Sequence, residues 1–260
     1  MTTNRRFALE LQAEVELKQD AAAPLSQPIP VSPALRRVLL DIGSLPRGAL
    51  FLGIALDGLP MLLNLHDSTP GPLLVVGDAS AGKTAFLQMV AQGIQQTQVA
   101  ENVQFGVITS HPEEWEDMDT TPHRVGVFPA DHKTAQDFIQ SLAGWAHANN
   151  KSNQSILLLI DDLEAVAKLE PEVIQNLRWL LLRGPARKVW PVITINAERY
   201  GQVLAWIPMF RTRIFSRIAN ENIAEALGGD KPSALNQLEA GIQFSLRENG
   251  KWLKFWLPSC

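Results

Sequence analysis

Short apolar runs recur along the chain, and segments with apolar residues at helical spacing separate them. The run at 156–160 is apolar at every position, which is typical of a strand buried on both faces of a parallel sheet. Similar runs predict strands at 72–76, 103–108, 124–128, 190–195 and 213–218. Helical spacing and capping residues predict helices at 85–93, from 131 or 134 to 149, at 171–182, 202–207 and 223–227. This alternation predicts an α/β fold with a mainly parallel central sheet and helices on both faces.

Two hairpins are predicted beside this alternation. Apolar segments at 48–56 and 60–65 flank an Asp-Gly pair at 57–58, which is a strong hairpin signal. A second pair of strands is predicted at 241–246 and 252–257, near the end of the chain. Both hairpins are expected to be small additions to the central sheet.

The N-terminal part of the chain has a different pattern. Apolar residues alternate at 7–17, which is typical of an exposed or edge strand, and a proline-containing stretch at 21–30 is typical of a linker. A short helix is predicted at 34–40. We therefore expect an extension or linker at 1–30 and one ordered domain at 31–260.

Composition narrows the class of protein. The 260 residues are 46% hydrophobic, which is ample for a packed core, and the net charge of −4 argues against a protein that coats nucleic acid indiscriminately. Cys260 is the single cysteine, so an internal disulfide framework and a cysteine-based metal site are excluded. The acidic loop at 111–119 is expected to be solvated surface, and the tryptophans are expected to pack in the core. No apolar stretch has the length of a membrane span and no signal-peptide core follows Met1, so a soluble, cytoplasmic protein is expected.

A phosphate-binding motif follows the first strand of the core. Residues 77–84 read Gly-Asp-Ala-Ser-Ala-Gly-Lys-Thr and lead into a predicted helix, so successive N–H groups and the helix N-terminus can surround phosphate oxygens. Lys83 is expected to reach the β- and γ-phosphates, and the Thr84 hydroxyl is expected to bind Mg²⁺. The predicted nucleotide-binding residues are Gly77, Asp78, Ala79, Ser80, Ala81, Gly82, Lys83, Thr84 and Ala85.

Two acids directly follow the most apolar strand. Asp161 lies where an α/β sheet places its ligand crevice, so it is expected to order Mg²⁺ together with Thr84. Asp162 is the first candidate for the base that polarises an attacking water. Glu164 is the alternative base, and the absence of a competent base is a third alternative.

A polar pair at the end of the next strand is a candidate γ-phosphate sensor. Asn196 is the first candidate and Thr194 the alternative, because a polar group beside the phosphate loop can respond to the γ-phosphate. An equally good interpretation makes Asn196 a cap for the turn before Glu198.

Basic residues dominate the segment from 183 to 217, where Glu198 is the single acid. For each basic residue alone, a solvated surface position is the simplest interpretation. As a group they suit arginine fingers for a neighbouring subunit or contacts to a nucleic acid backbone, and Arg211 and Arg213 suit the first use. The residues are Arg183, Arg187, Lys188, Arg199, Arg211, Arg213 and Arg217.

Together these motifs resemble the FtsK/HerA superfamily of P-loop motor ATPases over roughly residues 48–257. The resemblance rests on the segments 52–65, 73–84, 158–162, 192–196 and 211–218. It implies a RecA-like fold, ATP and Mg²⁺ as cofactors, and catalytic roles for Lys83, Asp162, Asn196, Arg211 and Arg213. Asp162 departs from the family pattern, which usually has Glu there, and Asn196 stands where Gln is common.

The resemblance also implies a function. An ATP-hydrolysing ring, expected to be a hexamer of this chain, would move double-stranded DNA. An ATPase module of a protein export or assembly system, with a polypeptide as partner, is the alternative. A regulatory module that binds ATP and hydrolyses it weakly is a further alternative, suggested by Asp162. The N-terminal extension is a candidate docking segment for a protein partner.

Overall fold

A computed structural model describes residues 33–118, 120–149, 152–229, 234–248 and 251–259. These residues belong to one compact unit. The strand predicted at 7–17 lies outside the described residues. None of the described helices is long and apolar enough to cross a membrane.

Strands and helices alternate through most of this unit. The strands are β1 Ala49–Ala55, β2 Pro60–Asn64, β3 Leu73–Gly77, β4 Val103–Thr109, β5 Arg124–Pro129, β6 Ser155–Asp161, β7 Val189–Asn196, β8 Thr212–Phe215, β9 Gln243–Glu248 and β10 Lys251–Trp256. The α-helices are α1 Leu35–Ile42, α2 Lys83–Thr97, α3 Lys133–Ala148, α4 Leu163–Val166, α5 Pro171–Arg183 and α6 Glu221–Gly228.

All ten described strands form one sheet, in the order β2-β1-β10-β9-β8-β3-β7-β6-β4-β5. The six strands from β8 to β5 are parallel, whereas the two hairpins join antiparallel to them and to each other. The α/β class and the mainly parallel centre were predicted from the apolar pattern. The hairpins are additions to the central sheet, as predicted, and extend it at one edge.

Alternate residues of β3 point into two cores, one on each face of the sheet. Leu74 and Val76 belong to the core that α3, α5 and α6 cover. Leu73 and Val75 belong to the core that α1 and α2 cover. A strand with helices on both faces has to be apolar at every position, which is why the central strands contain unbroken apolar runs.

Three predicted elements differ from the structure in type or by more than two residues at one end. The helix after the phosphate loop starts at Lys83 and ends at Thr97, beyond the predicted 85–93. The α-helix predicted at 202–207 is wrong, because this segment forms two short 3₁₀ helices, Ala197–Val203 and Ile207–Met209. Pro208 lies in the second of these helices and cannot donate a backbone hydrogen bond. The last parallel strand ends at Phe215, and Ser216 to Ile218 leave the sheet.

The central strand β6 allows a direct test of this packing. Leu158 is fully buried in β6, so Leu158→Ala should lower the free energy of unfolding by about 2–5 kcal/mol through lost contacts and a residual cavity. Leu182 on α5 is 64% exposed, and Leu182→Ala should change the same quantity by less than about 0.5 kcal/mol. Urea unfolding followed by circular dichroism measures both, and equal losses would contradict the arrangement of β6 at the centre of the sheet.

Candidate functional site

The phosphate loop connects β3 to α2 at the carboxyl edge of the parallel strands. Gly77 ends β3, and Lys83 begins α2. Gly82 has a φ of 90°, and Ser80 has a φ of 56°, so both adopt the left-handed conformation that turns backbone N–H groups toward one side. This edge is where α/β sheets of this type bind ligands.

A segment that follows β8 holds the loop from one side. Gly77 lies so close to Ser216 that a Cβ at position 77 would be 1.8 Å from the Ser216 hydroxyl oxygen. The backbone N–H of Asp78 donates to the Arg217 carbonyl at 3.0 Å, and the Asp78 carboxylate accepts from the Ala219 N–H at 2.7 Å. Asp78 therefore ties the phosphate loop to residues 217–219.

The loop before β9 contacts the phosphate loop as well. Gly241 donates its N–H to the Ala81 carbonyl at 3.1 Å, and a Cβ on Gly82 would lie 2.5 Å from the Gly241 Cα. Glycine at 82 is thus required by its φ and by this close approach. The C-terminal hairpin in this way supports the nucleotide-binding loop.

A chain of hydrogen bonds joins the phosphate loop to the ends of two further strands. The Thr84 hydroxyl donates to Asp161 Oδ2 at 2.7 Å, and the Thr194 hydroxyl donates to Asp161 Oδ1 at 2.8 Å. Asp161 is 5% exposed, and burial raises its pKa above the ordinary value while these two bonds lower it. Three sequence-distant residues are therefore brought together where Mg²⁺ was predicted.

The residues present fit a nucleotide with its magnesium ion. The left-handed conformations of Ser80 and Gly82 turn backbone N–H groups of the loop toward one side, where phosphate oxygens can accept hydrogen bonds from them. The adjacent Thr84 hydroxyl and Asp161 carboxylate are hard oxygen donors of the kind that Mg²⁺ prefers, and this ion keeps several water ligands of its own.

A hydrogen bond to the backbone of the phosphate loop holds the Lys83 side chain in place. Its Nζ donates to the Asp78 carbonyl at 2.8 Å, and the side chain is 8% exposed. Burial lowers the Lys83 pKa, and the negative charges of Asp162, Asp161, Glu164 and Asp78 oppose this effect. A buried lysine facing four acids is suited to neutralise the charge of a bound phosphate.

Asp162 adopts an unusual backbone conformation, with φ 71° and ψ 88°. Its N–H donates to the Thr194 hydroxyl at 2.8 Å, and the short helix α4 starts at the next residue. A left-handed conformation in a residue other than glycine is strained, by about 1 kcal/mol or more. Strain of this kind at a strand end is typical of functional sites.

Glu164 is more deeply buried than Asp162. It is 4% exposed, and its Oε1 accepts from the Asn196 N–H at 2.8 Å. Its Oε2 is buried and has no hydrogen-bond partner among the described residues. Burial raises the pKa of Glu164, the hydrogen bond from the Asn196 N–H opposes this shift, and the charge of Asp162 adds to it.

A cleft of about 460 Å³ opens beside these acids. It collects residues from the ends of β4 and β6 and from the 3₁₀ helix after β7. Its rim carries exposed basic side chains as well as the two acids. The lining residues are Ser110, His111, Asp162, Glu164, Ala165, Lys168, Arg199 and Gln202.

The candidate sensor residues have separate structural tasks. The Thr194 side chain is fully buried, and its hydroxyl is bonded to both Asp161 and the Asp162 backbone. Thr194 therefore orients the acids and does not extend toward the cleft. Asn196 is half-buried and caps the following 3₁₀ helix, because its side chain accepts from the Glu198 N–H at 3.1 Å. The interpretation of Asn196 as a cap is supported, and its role as a sensor stays a prediction.

The two candidate finger arginines lie away from the phosphate loop of their own chain. Arg211 precedes β8, whose first residue pairs with Leu73, so it lies at the amino ends of the strands. The Arg213 guanidinium donates to the carbonyls of Leu227 and Ile207 at 3.1 and 3.3 Å. A catalytic role for Arg213 would require these bonds to break, and for both arginines the role stays a prediction.

Sequence reasoning missed several contacts that shape the site. Ser216 and Gly241 support the phosphate loop, and Thr194 orients Asp161. The register of β6 against β7, which pairs Ile160 with Ile193, places Thr194 next to Asp161. A local sequence pattern cannot predict this register, because the register depends on the pairing of two strands that are distant in sequence.

Comparisons with solved structures place this fold among known ATPases. ATPases 2 and 3 of EccC from Thermomonospora curvata, in complex with a signal sequence peptide, match with a TM-score of 0.70 and 18% identity over 94% of this chain and 46% of that chain. ATPases 2 and 3 of EssC from Geobacillus thermodenitrificans match with a TM-score of 0.69 and 12% identity over 89% and 48%. The conjugation coupling protein TcpA of pCW3 matches with a TM-score of 0.57 and 12% identity over 82% and 66%.

The chain shares its fold with these solved ATPases, and this is the α/β fold that the sequence predicted. It spans just under half the length of the EccC and EssC chains that it matches. No protein-family model matches the sequence, and no curated protein matches it.

The close approach of Gly77 to Ser216 can be tested by a double-mutant cycle. Gly77→Ala should lower the free energy of unfolding by about 1–3 kcal/mol, because the new methyl group overlaps the Ser216 hydroxyl. Adding Ser216→Gly removes that hydroxyl and should recover part of the loss. Gly93 has open space at its Cβ position, so Gly93→Ala in α2 is the matched control and should be neutral or stabilising. Additive losses in the cycle would contradict the contact.

The buried Glu164 carboxylate predicts a pH-dependent stability. Because the folded-state pKa is raised above the unfolded value of about 4.3, the charged form destabilises the folded state as pH rises through this range. Relative to the parent, Glu164→Gln should therefore gain stability as the pH rises above about 4. Thermal unfolding across this range measures the gain. Glu198→Gln removes an exposed carboxylate, is the matched control, and should change the free energy of unfolding by less than about 0.5 kcal/mol.

Proposed function

We propose that this chain is an ATP-hydrolysing motor of the FtsK/HerA type that assembles as a ring, expected to be a hexamer, and moves double-stranded DNA. The observation that carries the proposal is the bond between Thr84 and Asp161, which joins a complete phosphate loop to the acid at the end of β6. The fold of P-loop ATPases supports the ATPase part of the proposal.

The proposed roles follow from the positions of the side chains. Lys83 and the backbone of 77–84 bind the phosphates, while Thr84 and Asp161 hold Mg²⁺. The magnesium ion, when bound, neutralises charge on the phosphate oxygens. Asp162 and Glu164 line the same cleft, and we propose that one of them accepts a proton from the attacking water.

A ring would explain the separation of Arg211 from the phosphate loop of its own chain. Arg211 is exposed at the amino edge of the sheet, where it cannot reach the carboxyl edge of its own subunit. A neighbouring copy of the chain can bring an arginine to the nucleotide, as arginine fingers do. Arg199 and Lys168 are exposed beside the cleft, so they are suited to bind an anionic polymer.

An ATPase module of a protein export system is the second candidate. EccC, described as a Type VII secretion ATPase, shares the fold, and one of its structures contains a signal sequence peptide. The acidic surface segment between His111 and Met118 also favours a polypeptide over a polyanion as the partner.

ATP turnover with and without polymers tests the proposal. The purified full chain should hydrolyse ATP with Mg²⁺, and duplex DNA should stimulate the rate under conditions where electron microscopy resolves a ring. Lys83→Ala should lower the rate by at least about 100-fold, because it removes a cation from the phosphate site.

The outcome separates the candidates. Turnover in the ring without any effect of DNA, together with stimulation by an unfolded polypeptide, would favour the export function. Nucleotide binding without turnover would favour a regulatory module. Turnover that survives in Lys83→Ala would exclude this site as the source of the activity.

A further inference from the structure

We propose that Glu164, and not Asp162, is the proton acceptor for the attacking water in this chain. This inference rests on the proposed ATPase function. It assigns the base to a residue three positions after the metal-ordering Asp161, inside helix α4, and not to the acid that follows Asp161 directly.

The geometry gives Glu164 one fixed and one free carboxylate oxygen. Its Oε1 accepts from the Asn196 N–H at 2.8 Å, which orients the whole group. Its Oε2 has no partner among the described residues, and the residue is 4% exposed and lines the cleft. A buried carboxylate oxygen without a donor is costly, so a small shift of this side chain toward the cleft, which lets a water molecule donate to Oε2, is favourable.

Strand pairing places Glu164 beside the phosphate loop, because Asn196, whose N–H donates to Glu164, pairs with Gly77 at the start of that loop. Lys83, which is expected to bind the β- and γ-phosphates, and Asp162 both act electrostatically on Glu164. Burial makes the carboxylate of Glu164 more basic than that of an exposed glutamate. A base becomes more effective as its proton affinity approaches that needed at neutral pH.

Asp162 is suited to a different task. It is one methylene shorter than glutamate and lies in a strained left-handed turn. Among the acids around Lys83, Asp162 has the largest electrostatic effect on the ammonium group. We assign Asp162 to the charge balance of Lys83 and to the turn that brings Glu164 to the cleft.

The chemical step balances with ATP and water alone. The water oxygen bonds to the γ-phosphorus, and its proton passes to Glu164 Oε2. The bond between the γ-phosphorus and the bridging oxygen breaks, and ADP leaves with the electron pair. Glu164 then returns its proton to the released phosphate or to solvent, so no oxidant or further reactant is needed.

Single-turnover hydrolysis of ATP by three variants tests the assignment. Glu164→Gln keeps an oxygen that accepts from the Asn196 N–H but removes the basic carboxylate. It should lower the rate by about 10²–10⁴-fold while the Kd for a fluorescent ATP analogue changes by less than about threefold. Asp162→Asn should lower the rate by less than about tenfold. Glu198→Gln, at an exposed glutamate in the segment after β7, is the matched control and should leave the rate unchanged.

The contrary outcomes are distinct. If Glu164→Gln hydrolyses ATP at nearly the parent rate and only Glu164→Ala is slow, Glu164 is an anchor for Asn196 and the proposal is overturned. A loss in Asp162→Asn as large as that in Glu164→Gln would also overturn it. Absence of turnover in the parent chain would instead remove the proposed ATPase function, and thermal unfolding of each variant shows whether a loss comes from misfolding.

Discussion

The hydrogen bond between Thr84 and Asp161 is the constraint on which the site depends. Thr84 lies in the first turn of α2, whereas Asp161 ends β6, and β7 separates β6 from β3 in the sheet. The bond at 2.7 Å can form only if all three strands end at the same level. Thr194 of β7 fixes this level, because its hydroxyl bonds to Asp161 from the strand between them.

The elements of the sheet could be predicted because their cause is local. A strand with a core on each face needs an unbroken apolar run, and 156–160 has one. The phosphate loop, Asp161 and Asp162 could be named from the sequence because each belongs to a contiguous motif. The wrong helix at 202–207 also has a local cause. Pro208 follows the helical apolar pattern directly, and the Asn196 cap starts a 3₁₀ helix before the pattern begins.

The contacts that complete the site could not be predicted from the sequence, because they depend on strand pairing. Gly77 looks like an ordinary glycine of a phosphate loop, but its close neighbour is Ser216, which approaches only through the pairing of β3 with β8. The bond from Asn196 to Glu164 likewise depends on how β7 lies beside β6. Sequence reasoning could name Glu164 as an alternative base, whereas its burial and its unpaired oxygen are properties of the fold.

The position of the arginines links the chemistry to assembly. Arg211 precedes β8 at the amino edge of the sheet, whereas Lys83 follows β3 at the carboxyl edge. Five residues of β3 span about 13 Å between their end Cα atoms, which is longer than an arginine side chain. Under the proposed function, Arg211 would therefore act on a nucleotide that a neighbouring copy of the chain binds. In a single chain, the acids around Lys83 would face the nucleotide without this guanidinium.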